Sequence, residues 1–238
     1  LYAHTDPKLG EMLRAGIDTQ KLASGAMSGM NKQDKPGDMV LAARGAAHIM
    51  SANDGPRIAA LAFDGWDTHE NEGGAKGRLF NLLTGLDGAL AEFETGLGDA
   101  WNQTAIVVMT EFGRTAAING TDGTDHGTGT VAFLAGGAVK GGRVIADWPG
   151  LKTSALYQGR DLKPTTDLRS VLKGLLGDQA QRLVLARGRR ALVVGEHHLD
   201  LGAAEARKAC ALGQREIAEF GMVVVDDVDR DLDEIGRA

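Results

Sequence analysis

The chain has 238 residues, of which 43% are hydrophobic and 24% are charged, and its formal net charge is −6. This length and apolar fraction predict a single globular domain, larger than average and with a substantial core. The negative charge argues against nucleic acid or an anionic membrane as a main partner. No apolar run reaches the roughly 18 residues of a membrane span, so we expect no transmembrane segment. Cys210 is the single cysteine, which excludes an intrachain disulfide and a cysteine-based metal cluster.

The predicted elements begin with short helices and loops over residues 1–37, where apolar residues show little periodicity. Asp38 is placed to cap a helix that runs to about Met50. Residues 57–63 are a short, continuous apolar run, typical of a strand buried on both faces. From Arg78 to Leu97 apolar residues recur every three or four positions, which predicts an amphipathic helix. Residues 105–109 form a second buried strand, so the order strand, helix, strand predicts a βαβ unit with parallel strands.

A third strand is predicted over residues 130–134. The polar, Gly-rich segment 111–129 before it has no helical stripe. Because a parallel neighbour needs a crossover that is usually helical, we expect the third strand to be antiparallel to the second. A capped helix over 167–176 follows, and the composition then changes, with a helix predicted over 203–220 and a strand over 222–225.

Polar side chains cluster where these strands end or begin. In open α/β sheets, ligands bind beyond the carboxyl ends of the parallel strands. The first two strands would end, and an antiparallel third strand would begin, at one edge of the sheet. The residues at that edge are Asp67 and His69, Glu111, and Asp125 with His126. Together they would repel or stay partly protonated unless a cation held them, which predicts one or two Zn²⁺ or Mn²⁺ ions.

Arg114 is the candidate for binding a substrate oxyanion, because its planar guanidinium matches phosphate and sulfate oxygens. Each piece of the cluster also has a simpler interpretation. An Asp-x-His pattern such as Asp67 and His69 is common in turns that follow a strand. A Glu and an Arg spaced like Glu111 and Arg114 more often form a local ion pair, and residues 125–126 could be an exposed loop tip. The chain has no Gly-x-Ser-x-Gly elbow and no Walker A motif, which weakens serine-hydrolase and nucleotide-binding hypotheses.

Several ordered motifs resemble the DUF1501 family, which is grouped with the alkaline phosphatases and sulfatases. The resemblance covers roughly residues 37–177. The motifs that carry it are Gly65–His69, Thr110–Thr115, Asn119–Gly127, Gly136–Gly142, Asp147–Pro149 and Pro164–Arg169.

The resemblance implies an α/β fold, an alkaline-phosphatase-like sheet of mostly parallel strands flanked by helices, over residues 1–180. The first metal-binding Asp and the nucleophile of that superfamily would precede residue 1, so we expect the core of this chain to be incomplete. Residues 181–238 would be a C-terminal tail of unknown affiliation. Members commonly carry an export signal in the missing region, which implies a periplasmic or extracellular location.

The resemblance also implies a modified metal site. The usual Asp-His pair after a central strand corresponds to Glu111 and Phe112, so a phenylalanine stands where a His ligand is usual. His126 looks like the later His ligand, and Asp67 with His69 looks like an Asp-x-x-x-His element at altered spacing. The cofactor would be a divalent metal ion: Zn²⁺, Mn²⁺ or Ca²⁺.

Two functions from different classes follow. The first is a metal-dependent hydrolase of phosphate or sulfate esters, acting on a small molecule or a polymer, with Arg114 as its catalytic oxyanion-binding residue. With the superfamily nucleophile absent, a metal-activated water is the expected nucleophile. The alternative is a non-catalytic binding or scaffold protein that retains the fold and a degenerate metal site. The sequence leaves the substrate and the oligomeric state open.

Overall fold

The computed structural model of the chain describes residues 14, 36–53, 55–172 and 174–175, and the backbone of 191–194 and 220–225. In chain order, the first elements are α1 (Pro36–Met50), β1 (Ile58–Phe63), α2 (Arg78–Leu97) and a 3-10 helix, Gly98–Gln103. They are followed by β2 (Ala105–Thr110), β3 (Gly113–Arg114), β4 (His126–Gly127) and β5 (Phe133–Ala135). The last are a 3-10 helix at Thr153–Ala155, helical residues 168–172 and 174–175, β6 (Ala191–Val194) and β7 (Phe220–Val225).

The predicted helices agree well with these bounds. Helix α2 begins and ends at the predicted residues. Helix α1 is confirmed but begins at Pro36 rather than after Asp38, because proline is well suited to the first turn of a helix. The capped helix near residue 167 is also confirmed, since the Asp167 carboxylate accepts a hydrogen bond from the Arg169 N–H at 2.9 Å. The elements predicted over 1–37 and 203–220 lie almost wholly outside the described residues.

Five strands form one sheet in the order β5-β2-β7-β1-β6. β7 lies between β1 and β2 and is antiparallel to both, so β1 and β2 run in the same direction without touching. β5 is antiparallel to β2, as predicted, and β6 is parallel to β1. Three of the four pairings are therefore antiparallel, and the predicted alkaline-phosphatase-like sheet of mostly parallel strands is wrong. A buried apolar run indicates that a strand is covered; it does not indicate its neighbour or that neighbour's direction.

The main core lies between the two long helices and one face of the sheet. β1 alternates, with Ala59, Leu61 and Phe63 buried and the residues between them half-buried. β2 is buried on both faces: Ile106 and Val108 join the helical core, and Ala105 and Val107 pack with Leu175 on the other side. The helical core consists of Ala59, Leu61, Phe63, Trp66, Ile106 and Val108 together with Met39, Ala42, Ala43, Ala46, Ala47, Met50, Leu82, Leu86, Ala89, Phe93 and Leu97.

Small residues let α1 and α2 approach closely. A Cβ atom on Gly85 would lie 2.6 Å from the Cα of Pro36, and one on Gly96 would lie 2.8 Å from the Cβ of Ala47. Arg44 and Glu92 join the two helices at the surface, with Arg44 Nε 2.9 Å from Glu92 Oε2. Because that pair is exposed, the apolar contact and not the ion pair holds the helices together. No helix among the described residues is both long enough and apolar enough to cross a bilayer.

The contact between α1 and α2 predicts different outcomes for two glycines of the same helix. Gly85→Ala should lower the free energy of unfolding by about 1–3 kcal/mol, because the new methyl group would collide with the Pro36 backbone. Gly88→Ala meets only a Val40 methyl group at 2.8 Å and gains helix propensity, so it should be neutral or stabilise by up to about 1 kcal/mol. Urea denaturation of both variants measures the difference. Equal stability of the two would contradict the packing described.

Candidate metal centre

Two loops at one edge of the sheet lie side by side through backbone hydrogen bonds. The first follows β1 and the second joins β3 to β4. Thr124 N–H donates to Thr68 O at 3.2 Å, Asn71 N–H to Thr121 O at 3.0 Å, and Glu72 N–H to Asp122 O at 2.9 Å. This ladder holds the segment 67–72 against the segment 121–124.

The residues of the first loop alternate in burial. Trp66 and Thr68 are buried, whereas Asp67 is exposed and His69 is half-buried. In an extended segment, alternate side chains point to opposite sides, so Trp66 and Thr68 anchor the loop while Asp67 and His69 face outward together. The β3–β4 hairpin places Arg114 directly opposite His126. Asp67 and His69 of the first loop therefore contact Arg114 and His126 of the hairpin.

Three of these side chains converge on one point. Asp67 Oδ1 lies 3.0 Å from His126 Nε2 and 3.0 Å from His69 Nε2. The two Nε2 atoms are 3.1 Å apart. These three residues offer ligand atoms close enough to share one metal ion.

The triangle of ligand atoms has the size that a metal ion requires. With metal–ligand bonds of about 2.0–2.1 Å, neighbouring ligands are separated by roughly 2.9 Å in octahedral and 3.3 Å in tetrahedral coordination. The observed edges of 3.0, 3.0 and 3.1 Å are nearly equal and fall in this range. Three protein ligands are one fewer than the four that close a structural zinc site.

Hydrogen bonds fix the orientation of the His69 ring. Its Nδ1 lies 3.2 Å from Asp125 Oδ1, and because a carboxylate only accepts, Nδ1 must carry the proton. A neutral His69 therefore presents the lone pair of Nε2 to the triangle. Asn119 Nδ2 donates to the same Asp125 oxygen at 3.0 Å and to His69 O at 2.9 Å. A carboxylate that orients a histidine in this way is typical of metal-binding histidines.

The triangle concentrates acceptors. Asp67 Oδ1 and His69 Nε2 both present lone pairs, so His126 Nε2 faces two acceptors at once. A proton or a cation at the centre would satisfy all three atoms together, beside the Arg114 hydrogen bond that Asp67 Oδ1 already accepts. Burial raises the pKa of Asp67, but hydrogen bonds from Arg114 and His126 outweigh it and hold that pKa below its usual value. Hydrogen bonds from Asn119 and His69 likewise lower the pKa of Asp125. Both carboxylates are therefore ionised near neutral pH.

Arg114 lies at the edge of the triangle. Its Nη1 donates to Asp67 Oδ1 at 2.9 Å, its Nε donates to Thr124 Oγ1 at 3.0 Å, and its Nη2 donates to Thr124 O. The Thr124 hydroxyl in turn donates a hydrogen bond to Glu72 Oε2 at 2.6 Å. These contacts use three of the five guanidinium N–H donors, and the Arg114 side chain makes no further hydrogen bond among the described residues.

The structure places the six predicted site residues in different roles. Asp67, His69 and His126 share the triangle. Asp125, predicted as a ligand, contacts the opposite nitrogen of His69. Arg114 contacts Asp67. Glu111, also a predicted ligand, does not belong to the triangle, and burial raises the pKa of its carboxyl group.

Phe112 lies against the centre although it cannot ligate a metal. Its ring centroid is 4.5 Å from that of His126, and the two planes are tilted by 48°. The Phe112 ring therefore packs against the imidazole of His126. This contact limits how the imidazole can turn.

Comparison with known proteins identifies the family. A family model described as a protein of unknown function, DUF1501, matches residues 6–190. The chain belongs to the DUF1501 family. No curated protein and no solved structure matches it. The family description names no activity, so functional inference for this member rests on the chemistry of the centre.

Two residues of the centre had no role in the sequence analysis. Asn119 and Thr124 lie within the family motif 119–127, yet act by hydrogen bonds to the backbone, to Arg114 and to Asp125. Polar residues in a Gly-rich loop are common, and no spacing pattern signals such bonds. Membership of an ordered family motif was the one available signal.

Gly123 is required where the two loops touch, and this generates a prediction. A Cβ atom there would lie 2.3 Å from the carbonyl carbon of His69, so Gly123→Ala should push the loops apart. We expect faster amide hydrogen exchange at Thr124 and Asn71 and a loss of stability of about 1–3 kcal/mol. Gly120→Ala is the matched control, since a Cβ atom there meets nothing within 4 Å. Unchanged exchange in the Gly123 variant would refute the close approach.

Proposed function

We propose that Asp67, His69 and His126 bind one divalent cation. The observation that supports this most directly is the nearly equilateral triangle of their ligand atoms, with edges of 3.0, 3.0 and 3.1 Å. Two imidazoles and one carboxylate suit Zn²⁺ and Mn²⁺. Ca²⁺ prefers oxygen ligands alone, so we set it below these two. The same donor set also serves Fe²⁺, which belongs in any test.

We propose further that the bound ion serves the hydrolysis of phosphate or sulfate esters. The grouping of the family with the alkaline phosphatases and sulfatases, and a periplasmic or extracellular location, are parts of this proposal. A bound divalent cation would supply a Lewis acid and lower the pKa of a coordinated water, which would act as nucleophile. An ion held by these three protein ligands would keep a coordination position for a substrate.

Different residues of the centre would have different roles in this reaction. Asp67, His69 and His126 would hold the ion, and Asp125 would keep the His69 ring in the ligating tautomer. Arg114 would orient a substrate oxyanion with the two N–H donors that Asp67 and Thr124 do not use. Its charge would also offset the negative charge that substrate brings to an acidic protein.

A second candidate is a binding protein that holds the metal ion without turnover. The arrangement of Arg114 and Phe112 favours it. Three of the five guanidinium N–H donors already bind groups of the protein, and the Phe112 ring packs against His126. Both features would reduce the space in which a substrate and a nucleophile align.

Metal binding is tested first. The purified chain should bind about one Zn²⁺ or Mn²⁺ per molecule, measured by calorimetry and metal analysis across Zn²⁺, Mn²⁺, Fe²⁺ and Ca²⁺. His126→Ala should lower the affinity by more than the roughly 10–100-fold typical of an outer hydrogen-bonding partner. Asp125→Asn should lower it by about 10–100-fold. His48→Ala is the matched control, because His48 is exposed on α1 and should have no effect. Equal binding by wild type and His126→Ala would exclude the triangle as the site.

Hydrolysis is tested with aryl phosphate and aryl sulfate esters on the metal-loaded chain. If Arg114 orients an oxyanion, Arg114→Lys should raise KM while metal affinity falls by less than about tenfold, because lysine keeps the charge but loses the planar fork. If Arg114 serves only to hold Asp67, metal affinity should fall and KM should not. Stoichiometric metal binding without measurable hydrolysis of either ester would favour the binding protein.

A further inference from the structure

Asp161 is the one charged residue among the buried side chains of the described residues, with 3% of its surface exposed. In the sequence it stands beside Arg160 and resembles an ordinary surface ion pair. Arg160 Nε lies 2.7 Å from Asp161 Oδ1 without forming a hydrogen bond, and Arg160 Nη2 donates a hydrogen bond to Asp161 Oδ2 at 3.2 Å. The arginine is well exposed, and the carboxylate is not. An exposed partner does not explain why the carboxylate is buried.

The other carboxylate oxygen contacts the hairpin that carries the metal centre. Thr128 Oγ1 donates to Asp161 Oδ2 at 2.9 Å. Thr128 lies two residues after His126. On the neighbouring strand, Thr115 follows Arg114 and forms an isolated backbone bridge with Asp161. Ala116 N–H donates to Arg160 O at 3.2 Å. Asp161 therefore contacts the residues that directly follow β3 and β4, one to two positions beyond Arg114 and His126.

The hairpin itself needs such support. β3 and β4 have only two residues each and pair only with one another in the described sheets. A two-stranded hairpin of this length is not stable without further contacts. A hydrogen bond to a buried carboxylate is stronger than one between neutral groups, and it costs more to break.

We propose that Asp161, acting through Thr128, is a positioning residue that sets His126 against Asp67 and His69. It would not touch the metal ion or a substrate. The inference rests on the proposed metal binding, because its main effect is expected on metal affinity. Partners of this kind, one contact away from a ligand, commonly change metal affinity by about 10–100-fold.

The test uses the full chain and changes the threonine, because Thr128 is exposed and its variants should fold. Thr128→Val removes the donor and should raise the Kd for Zn²⁺ by about 10–100-fold. Thr128→Ser keeps the hydroxyl and should stay within about tenfold of wild type. Thr104→Val is the stability control. It removes a buried hydroxyl that donates a hydrogen bond to Ala100 O at 2.8 Å, and Thr104 lies just before β2, outside the centre. It should lower Tm and leave the Kd unchanged.

A second measurement does not depend on metal. The Phe112 ring, 4.5 Å from that of His126, should shift the proton resonances of the imidazole. Thr128→Val should move these resonances in the metal-free chain, and Thr104→Val should not. Should Thr128→Val fail to fold, Thr128→Ala takes its place in both measurements.

The outcomes separate this inference from the proposed function. If wild type binds metal and Thr128→Val binds it with a Kd within about tenfold, the positioning role is overturned and metal binding stands. If wild type binds no metal, the proposed function fails. The His126 resonances then decide: a change in Thr128→Val supports the positioning role, and no change overturns it. A Kd that rises equally in Thr104→Val would show an effect of stability alone and overturn the inference.

Discussion

The common direction of β1 and β2 is the constraint on which the candidate metal centre depends. Both strands end at the same edge of the sheet, so the loops that follow them come together there. β5 is antiparallel to β2, and the segment that leads into it approaches the same edge. Three parts of the chain that are distant in sequence can therefore contribute to one cluster. Helix α2 spans the distance between the two strands and buries its apolar stripe against them.

Within the centre, the unbalanced hydrogen-bonding capacity matters more than the number of polar residues. Asp67 Oδ1 and the Nε2 atoms of His69 and His126 meet within about 3 Å, where two acceptors compete for one donor. Asp125 fixes one of these rings, Arg114 neutralises part of the charge, and Phe112 limits the motion of the other ring. Surrounding contacts thus hold the three potential ligand atoms around one point at which a cation would be stabilised.

The fold prediction succeeded for elements whose pattern is local. The stripe of α2 repeats over 20 residues, so its bounds follow from the spacing of the apolar residues alone. The apolar runs of β1 and β2 likewise revealed burial. The prediction was wrong about the sheet because β7, from residues 220–225, lies between them and is antiparallel to both. The strand itself was expected, but nothing in a short valine-rich run specifies which strands it joins.

The sequence by itself determined the helices, the buried strands and the edge at which the polar residues gather. That last inference survived the correction of the sheet because it depends on the direction of β1 and β2 and not on their adjacency. Only the tertiary structure decided which residues share the centre. It grouped Asp67, His69 and His126, moved Asp125 to the far side of a ring, and left Glu111 outside. Ligand contacts depend on ångström distances between loops, which hydrogen bonds across the chain set and residue spacing does not encode.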